Sequence, residues 1–207
     1  MTSDYAIGDV QPDRWEELAR FLARALPNPM VSVLGPSFGA KFYRALAARP
    51  DSWVLAAYDR RKALAGAVVG TLDRPRALAE TMAGRRLSLA LAANVRLLAP
   101  RTIRWLWQGR GGSEAVREGP SAELLAIAVR EDARGTGLAQ DLIRALEGFM
   151  RARGFRGTYA IRTEPDNVAA NRFYEKIGAR LARQYRYHRR LMNEWHKSVA
   201  APDETRG

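Results

Sequence analysis

Hydrophobic positions along the chain switch between two periods. Tyr5–Val10 predicts a short first strand. Pro12-Asp13 then opens a helix to about Leu26, with Trp15, Leu18, Phe21, Leu22 and Ala25 at helical spacing. Pro27-Asn28-Pro29 stops it. A second helix runs from about Pro36 to Ala48, carrying Phe38, Phe42, Ala45 and Leu46 on one face. Ser52–Tyr58 and Ala63–Leu72 read as a hairpin across the polar turn Asp59–Lys62. Gly66 and Gly70 in its second strand mark a bulge or a close backbone approach. Further on, Ala122–Val129 is an apolar strand with one acid, Glu123, near its start. A Gly-rich turn leads into a helix ending near Arg153, with Leu138, Leu142, Ala145, Leu146 and Phe149 as its buried stripe. Thr158–Thr163 is the next strand, Val168–Ile177 a short helix, and Ala179–Tyr187 and Leu191–Trp195 two late strands.

Between these halves lies an unusual block, 74–120. It predicts helices over Arg74–Leu98 and Arg101–Gln108, broken at Pro100, and then a loop over Gly109–Pro120. The order of elements predicts one α/β layered domain over 1–200 with a mixed sheet, a helical basic insert at 74–120, and a disordered tail at 201–207.

Composition changes this picture in two ways. The 207 residues are 47% hydrophobic and 27% charged, enough for one sizeable core. The net charge of +12 is focused: residues 74–110 hold eight Arg against one Glu, and residues 180–197 hold five Arg and one Lys against one Glu. Such a field favours an anionic partner. The chain has no Cys, which excludes disulfides, zinc thiolates and a thiol nucleophile. With only His188 and His196 as imidazoles, no metal site is expected. There is no apolar run long enough to span a membrane and no secretory pattern near Met1, so a cytoplasmic location is expected.

The most informative segment is Ala122–Leu146. A hydrophobic strand runs into Arg134-Gly135-Thr136-Gly137-Leu138-Ala139, and a helix begins there. Such a turn leaves backbone N–H groups unpaired at a positive helix end, which suits a pyrophosphate. Gly135 and Gly137 let the backbone approach phosphate oxygens without a Cβ in the way. The pattern is neither Gly-x-Gly-x-x-Gly nor a Walker loop.

This turn, with the strand Leu124–Val129 before it, resembles the GNAT superfamily of acyl-CoA-dependent N-acyltransferases, whose signature is Gln/Arg-x-x-Gly-x-Gly/Ala. A second match follows about thirty residues on, from Asn167 through Ala170, Phe173, Tyr174, Glu175 and Lys176 to Gly178. The resemblance covers about residues 120–180. It implies a central mixed, mostly antiparallel sheet flanked by helices, with acetyl-CoA as cosubstrate in a cleft between two splayed parallel strands. By the same resemblance, the backbone of Arg134, Gly135, Thr136, Gly137, Leu138 and Ala139 would hold the pyrophosphate. Ile127, Ala128 and Val129 would pair with the pantetheine arm, and Asn167 and Phe173 would contact the cofactor.

The implied chemistry is direct attack of a neutral amine on a thioester, in an N-acetyltransferase without a covalent intermediate. Tyr174 matches the family's candidate acid for the leaving thiolate. Glu123 occupies a position where several members carry a carboxylate base, and His188 is the other candidate by side-chain chemistry. The acceptor is read from the two basic segments. They favour a small anionic amine, such as a nucleotide-linked amino sugar, over a cationic one. The alternatives are an aminoacyl-tRNA, which Trp105, Trp107 and the arginines would suit, and a non-catalytic module binding a CoA ester. A homodimer contact through the insert is a further expectation.

Overall fold

The computed structural model describes residues 4–25, 34–84, 119–187 and 190–199. Seven strands form one sheet: β1 (Tyr5–Asp9), β2 (Ser52–Asp59), β3 (Leu64–Thr71), β4 (Glu123–Val129), β5 (Thr158–Thr163), β6 (Arg180–Tyr187) and β7 (Arg190–Ser198). Their spatial order is β1-β2-β3-β4-β5-β7-β6. Only β4 and β5 run parallel; every other neighbouring pair is antiparallel. The sheet is therefore mixed and mostly antiparallel, as expected.

Each face of the sheet carries its own core. On one face lie α1 (Trp15–Ala25), α2 (Pro36–Ala47) and α3 (Arg74–Ala83). Leu18, Leu22, Phe38, Phe42 and Leu46 pack there against Val54, Ala56, Ala67 and Val69. On the other face lies α4 (Leu138–Ala152), whose Leu138, Leu142, Leu146 and Met150 cover Leu55, Ala57, Val68 and Ile161. Burying each of these leucines contributes about 1.5–3 kcal/mol. The strand alternation that feeds both faces is the period-two pattern of the sequence.

Two glycines in β3 let α4 approach. A Cβ on Gly70 would stand 2.8 Å from both Leu146 methyls, and one on Gly66 would stand 3.0 Å from Leu142 Cδ1. Gly70 also sits at a register shift: it pairs with Leu124, while Val69 pairs with Ala126. Leu125 is thus an extra residue, a β-bulge that bends β4. The β2–β3 turn needs no Asn-Gly, because Asp59 Oδ1 accepts from Arg61 N and Ala63 N, both at 2.9 Å, and Lys62 takes the positive φ of 60°.

The insert departs from expectation at its start. The helix expected over Arg74–Leu98 ends at Ala83, where Gly84 leaves helical geometry at φ −58°, ψ 127°. Asp73 caps the other end, its side chain accepting from Arg76 N at 3.1 Å. The remainder of that expected helix, the Arg101–Gln108 helix, most of the following loop, His188 and the 201–207 tail lie outside the described residues.

Candidate active site

The sheet opens at its centre. β4 and β5 pair only at Glu123–Ala160 and Leu124–Ile161. Beyond that point the bulge at Leu125 turns β4 away, and the two strands diverge. From Leu125 to Val129 the β5-facing backbone edge of β4 has no strand partner among the described residues. A cavity of about 560 Å³ fills the gap. Its wall includes Leu125 to Val129 (except Ala126), Arg134 and Ala139, the β5 end Arg162-Thr163-Glu164, and Asn167, Ala170, Phe173 and Tyr174 of the following helix, with Ala25 and Met192.

One end of the cavity is the Gly-rich turn. Gly135 and Gly137 have φ of 79° and 91°, a region L side chains rarely adopt. Added Cβ atoms there would meet nothing within 4 Å, so the backbone faces open space. No N–H from Gly135 to Ala139 donates a hydrogen bond among the described residues. These donors stand at the N-terminus of a fifteen-residue helix, an arrangement suited to an anion. Leu138 and Thr136 contribute only backbone, since Leu138 is fully buried in the core and Thr136 Oγ1 donates to Ala133 O at 2.8 Å. Arg134 lines the cavity. Arg130 is engaged elsewhere, bonded to Asp59 at 2.9 Å and Asp132 at 2.6 Å. Those bonds hold both aspartates below the usual carboxylate range.

The opposite wall is α5 (Val168–Lys176). Asn167 Oδ1 caps it by accepting from Ala170 N at 3.2 Å, and the same residue lines the cavity. Asn171 ties this helix down. Its Nδ2 donates to the carbonyls of Glu164, Pro165 and Asn167 at 2.9–3.1 Å. Its Oδ1 accepts from Asn193 Nδ2 and Trp195 Nε1, both at 3.0 Å. Tyr174 is 7% exposed, and burial pushes its hydroxyl up to about 12. No hydrogen bond engages that hydroxyl among the described residues.

The throat, where the strands part, holds a cluster of charges. Arg162 is the first β5 residue beyond the last paired position. Tyr159 and Ile161 face α4 in the core, so Arg162 takes the other face, towards α1. Its side chain is 9% exposed and binds two buried acids, Glu123 at 7% and Glu194 at 0%. Glu123 bonds Arg162 Nη1 and also Arg74 Nε at 2.9 Å. Glu194 takes Arg162 Nη2 at 3.0 Å, Arg183 at 3.2 Å and His196 Nε2 at 2.9 Å. Burial pushes the Glu194 carboxyl up; the bonds from His196 and Arg183 and the charge of Arg162 outweigh this and leave it below its ordinary value. Glu123 does not line the cavity, whereas Arg162 does.

Ile127, Ala128, Val129, Arg134, Ala139, Asn167, Phe173 and Tyr174 thus meet around one cavity, and Gly135 to Leu138 form its turn. The sequence reading missed Arg162, Glu164 and Asn171. An arginine in an otherwise apolar strand was the available signal for Arg162. Asn171, a poor helix former inside a helix, was the available signal for the bonds that tie α5 to β7.

A splayed parallel strand pair, a bulged β4 and a helix N-terminus with free N–H groups together leave a cleft whose shape and polarity suit a long phosphate-bearing molecule. The sequence model of the acetyltransferase (GNAT) family matches residues 15–179, and the chain belongs to that family of acetyltransferases. Solved structures share the fold. An acetyltransferase crystal structure is 19% identical, covering 94% of this chain and 100% of its own at a TM-score of 0.62. The ribosomal-protein-S18-alanine N-acetyltransferase from Escherichia coli is 14% identical, covering 98% and 99%, at a TM-score of 0.58. A GCN5-related N-acetyltransferase from Kribbella flavida is 16% identical, covering 96% and 99%, at a TM-score of 0.56. No curated protein matches the chain. The family uses acetyl-CoA, and the free N–H groups and open glycines of 135–139 fit its phosphates. No helix among the described residues is long and apolar enough to cross a membrane.

Proposed function

We propose that the protein moves an acetyl group from acetyl-CoA to the primary amine of a small anionic acceptor, with a nucleotide-linked amino sugar as first choice. The observation that carries this reading is a cavity that joins the Arg134–Ala139 turn to the charged throat at Arg162 and Glu164. Acetyl-CoA supplies a thioester carbon open to an amine. Backbone N–H groups of Gly135 to Ala139 bind the phosphates, with Arg134 adding charge. The unpaired edge of β4 at Ile127–Val129 orients the pantetheine arm, and an N–H of that edge polarises the thioester carbonyl. Asn167 and Phe173 line the cofactor side.

Tyr174 hydrogen-bonds the leaving sulfur. Its hydroxyl, pushed up to about 12, stays protonated against a thiol of about 8.5. It therefore stabilises the thiolate as a donor and does not give its proton up outright. The attacking amine must lose a proton. Glu164 is the one carboxylate lining the cavity among the described residues, which supports it as the acceptor of that proton. Its partner Arg190, 2.6 Å away, is 64% exposed, so that pair is easily exchanged. Glu123, the base expected from the sequence, has both Arg162 and Arg74 on its carboxylate and is given no proton in this scheme.

The test is free-thiol release from acetyl-CoA across nucleotide amino sugars, sugar phosphates, amino acids, polyamines, aminoglycosides and charged tRNA. Turnover concentrated on anionic small amines is expected. Turnover only with polyamines or aminoglycosides, or only with tRNA, overturns the acceptor class.

A further inference from the structure

The charged cluster at the throat has a use that fold stability does not require. Burying ions is costly, and well-packed apolar residues of equal volume often serve as well. Here two acids almost wholly buried hold one arginine, and only the arginine reaches the cavity. Two of its five N–H donors hydrogen-bond carboxylates, Nε to Glu194 at 3.1 Å and Nη1 to Glu123, while Nη2 stands 3.0 Å from Glu194 in an ion pair. The guanidinium charge and the N–H donors not bonded to Glu123 or Glu194 remain for a ligand.

The acids do not cancel that charge. Glu123 is shared with Arg74, and Glu194 with Arg183 and His196. Each carboxylate thus serves more than one cation, and the field at the throat stays positive. Two residues on, Glu164 lines the same cavity with the opposite sign. Arg162 and Glu164 together form a two-signed wall matched to a molecule carrying an amine and an acid.

We propose that Arg162 selects the acceptor by binding its acidic group, a phosphate or carboxylate, while Glu123 and Glu194 act as positioning residues that fix the guanidinium. This rests on the anionic-acceptor reading above. Fixing the fork in advance removes the entropy of ordering a long side chain on binding. Amine and acid of the acceptor then span from Glu164 to Arg162, with the amine turned towards the thioester.

Matched probes test this: glucosamine 1-phosphate against glucosamine, and phosphoethanolamine against ethanolamine. The wild type is expected to favour the phosphorylated member of each pair at least about tenfold in kcat/KM, the span of one good ionic contact. Arg162→Lys keeps the charge and loses the fork. It is expected to collapse that ratio through KM, and to weaken glucosamine 1-phosphate binding by calorimetry in the absence of acetyl-CoA. Glu123→Gln leaves Arg162 in place and guards against a misfolded Arg162 variant. It is expected to raise KM for the phosphorylated probe and to keep the acidic limb of the kcat pH profile. Three results would overturn the proposal: a wild type indifferent to the phosphate or inactive on both pairs, an Arg162→Lys variant that retains the ratio, or loss of the acidic limb in Glu123→Gln. Turnover of cationic amines alone in the wider panel would separately remove the anionic-acceptor reading.

Discussion

Two alanine substitutions separate the strain of a turn from its role in binding. Gly137 caps α4 with φ 91°, and Gly154 follows the same helix at its far end with φ 77°. Neither would bring a Cβ within 4 Å of another atom. Forcing alanine into the left-handed region costs about 1–2 kcal/mol at either place. For a chain of this length that is a fall in Tm of roughly 2–8 °C. The two positions differ in what the open space is for. Gly137 belongs to the run 135–139, whose N–H groups donate to nothing else among the described residues. Losing one charge-assisted phosphate bond costs about 1.5–3 kcal/mol, roughly 10- to 150-fold in Kd. Differential scanning fluorimetry and calorimetric titration with acetyl-CoA therefore give a two-by-two comparison. Both variants lose similar Tm, and only Gly137→Ala loses affinity. Equal Kd for the two variants would refute the assignment of this turn to the pyrophosphate.

Other perturbations follow from the same geometry. Tyr174→Phe is expected to lower kcat about 100-fold while acetyl-CoA Kd stays within about twofold, by thiol release and calorimetry; an unchanged kcat removes Tyr174 from the chemistry. Gly70→Ala drives a Cβ to 2.8 Å from both Leu146 methyls and is expected to cost about 1–3 kcal/mol in urea unfolding. Glu194 sits below its ordinary value of 4.5, so its charge adds stability above that pH and loses it as pH falls through the lowered folded value. The Tm gap between wild type and Glu194→Gln is accordingly widest near neutrality and closes as pH falls through the lowered folded value; a gap independent of pH would count against a charged Glu194.

Much of the fold was legible because local signals agreed with the packing. Of the expected stripe, Leu138, Leu142 and Leu146 are buried against the sheet and Ala145 is partly buried, while Phe149 is 40% exposed; Pro36 does open α2. Thr158–Thr163 is a strand over its full expected span. Gly66 and Gly70 signalled a close approach that α4 supplies. What escaped was long-range. The helix from Arg74 stops at Gly84, since one glycine outweighed an apolar periodicity that continued past it. The partners of Glu123 lie on β5 and α3, 39 and 49 residues away, beyond any local pattern. The basic segment at 180–197 looked like free charge, yet Arg183 binds Glu194 and Arg190 binds Glu164. Sequence counts the charges; only the register of β5, β6 and β7 pairs them.

Hydrogen exchange with and without acetyl-CoA tests the central claim most directly. Amides of Gly135 to Ala139 and the β5-facing amides of Leu125 to Val129 have no partner among the described residues, and bound cofactor would occupy both sets. Saturating acetyl-CoA is predicted to slow exchange at these two segments above all others. Binding that protects a different surface, or leaves both segments exchanging as before, would contradict the account.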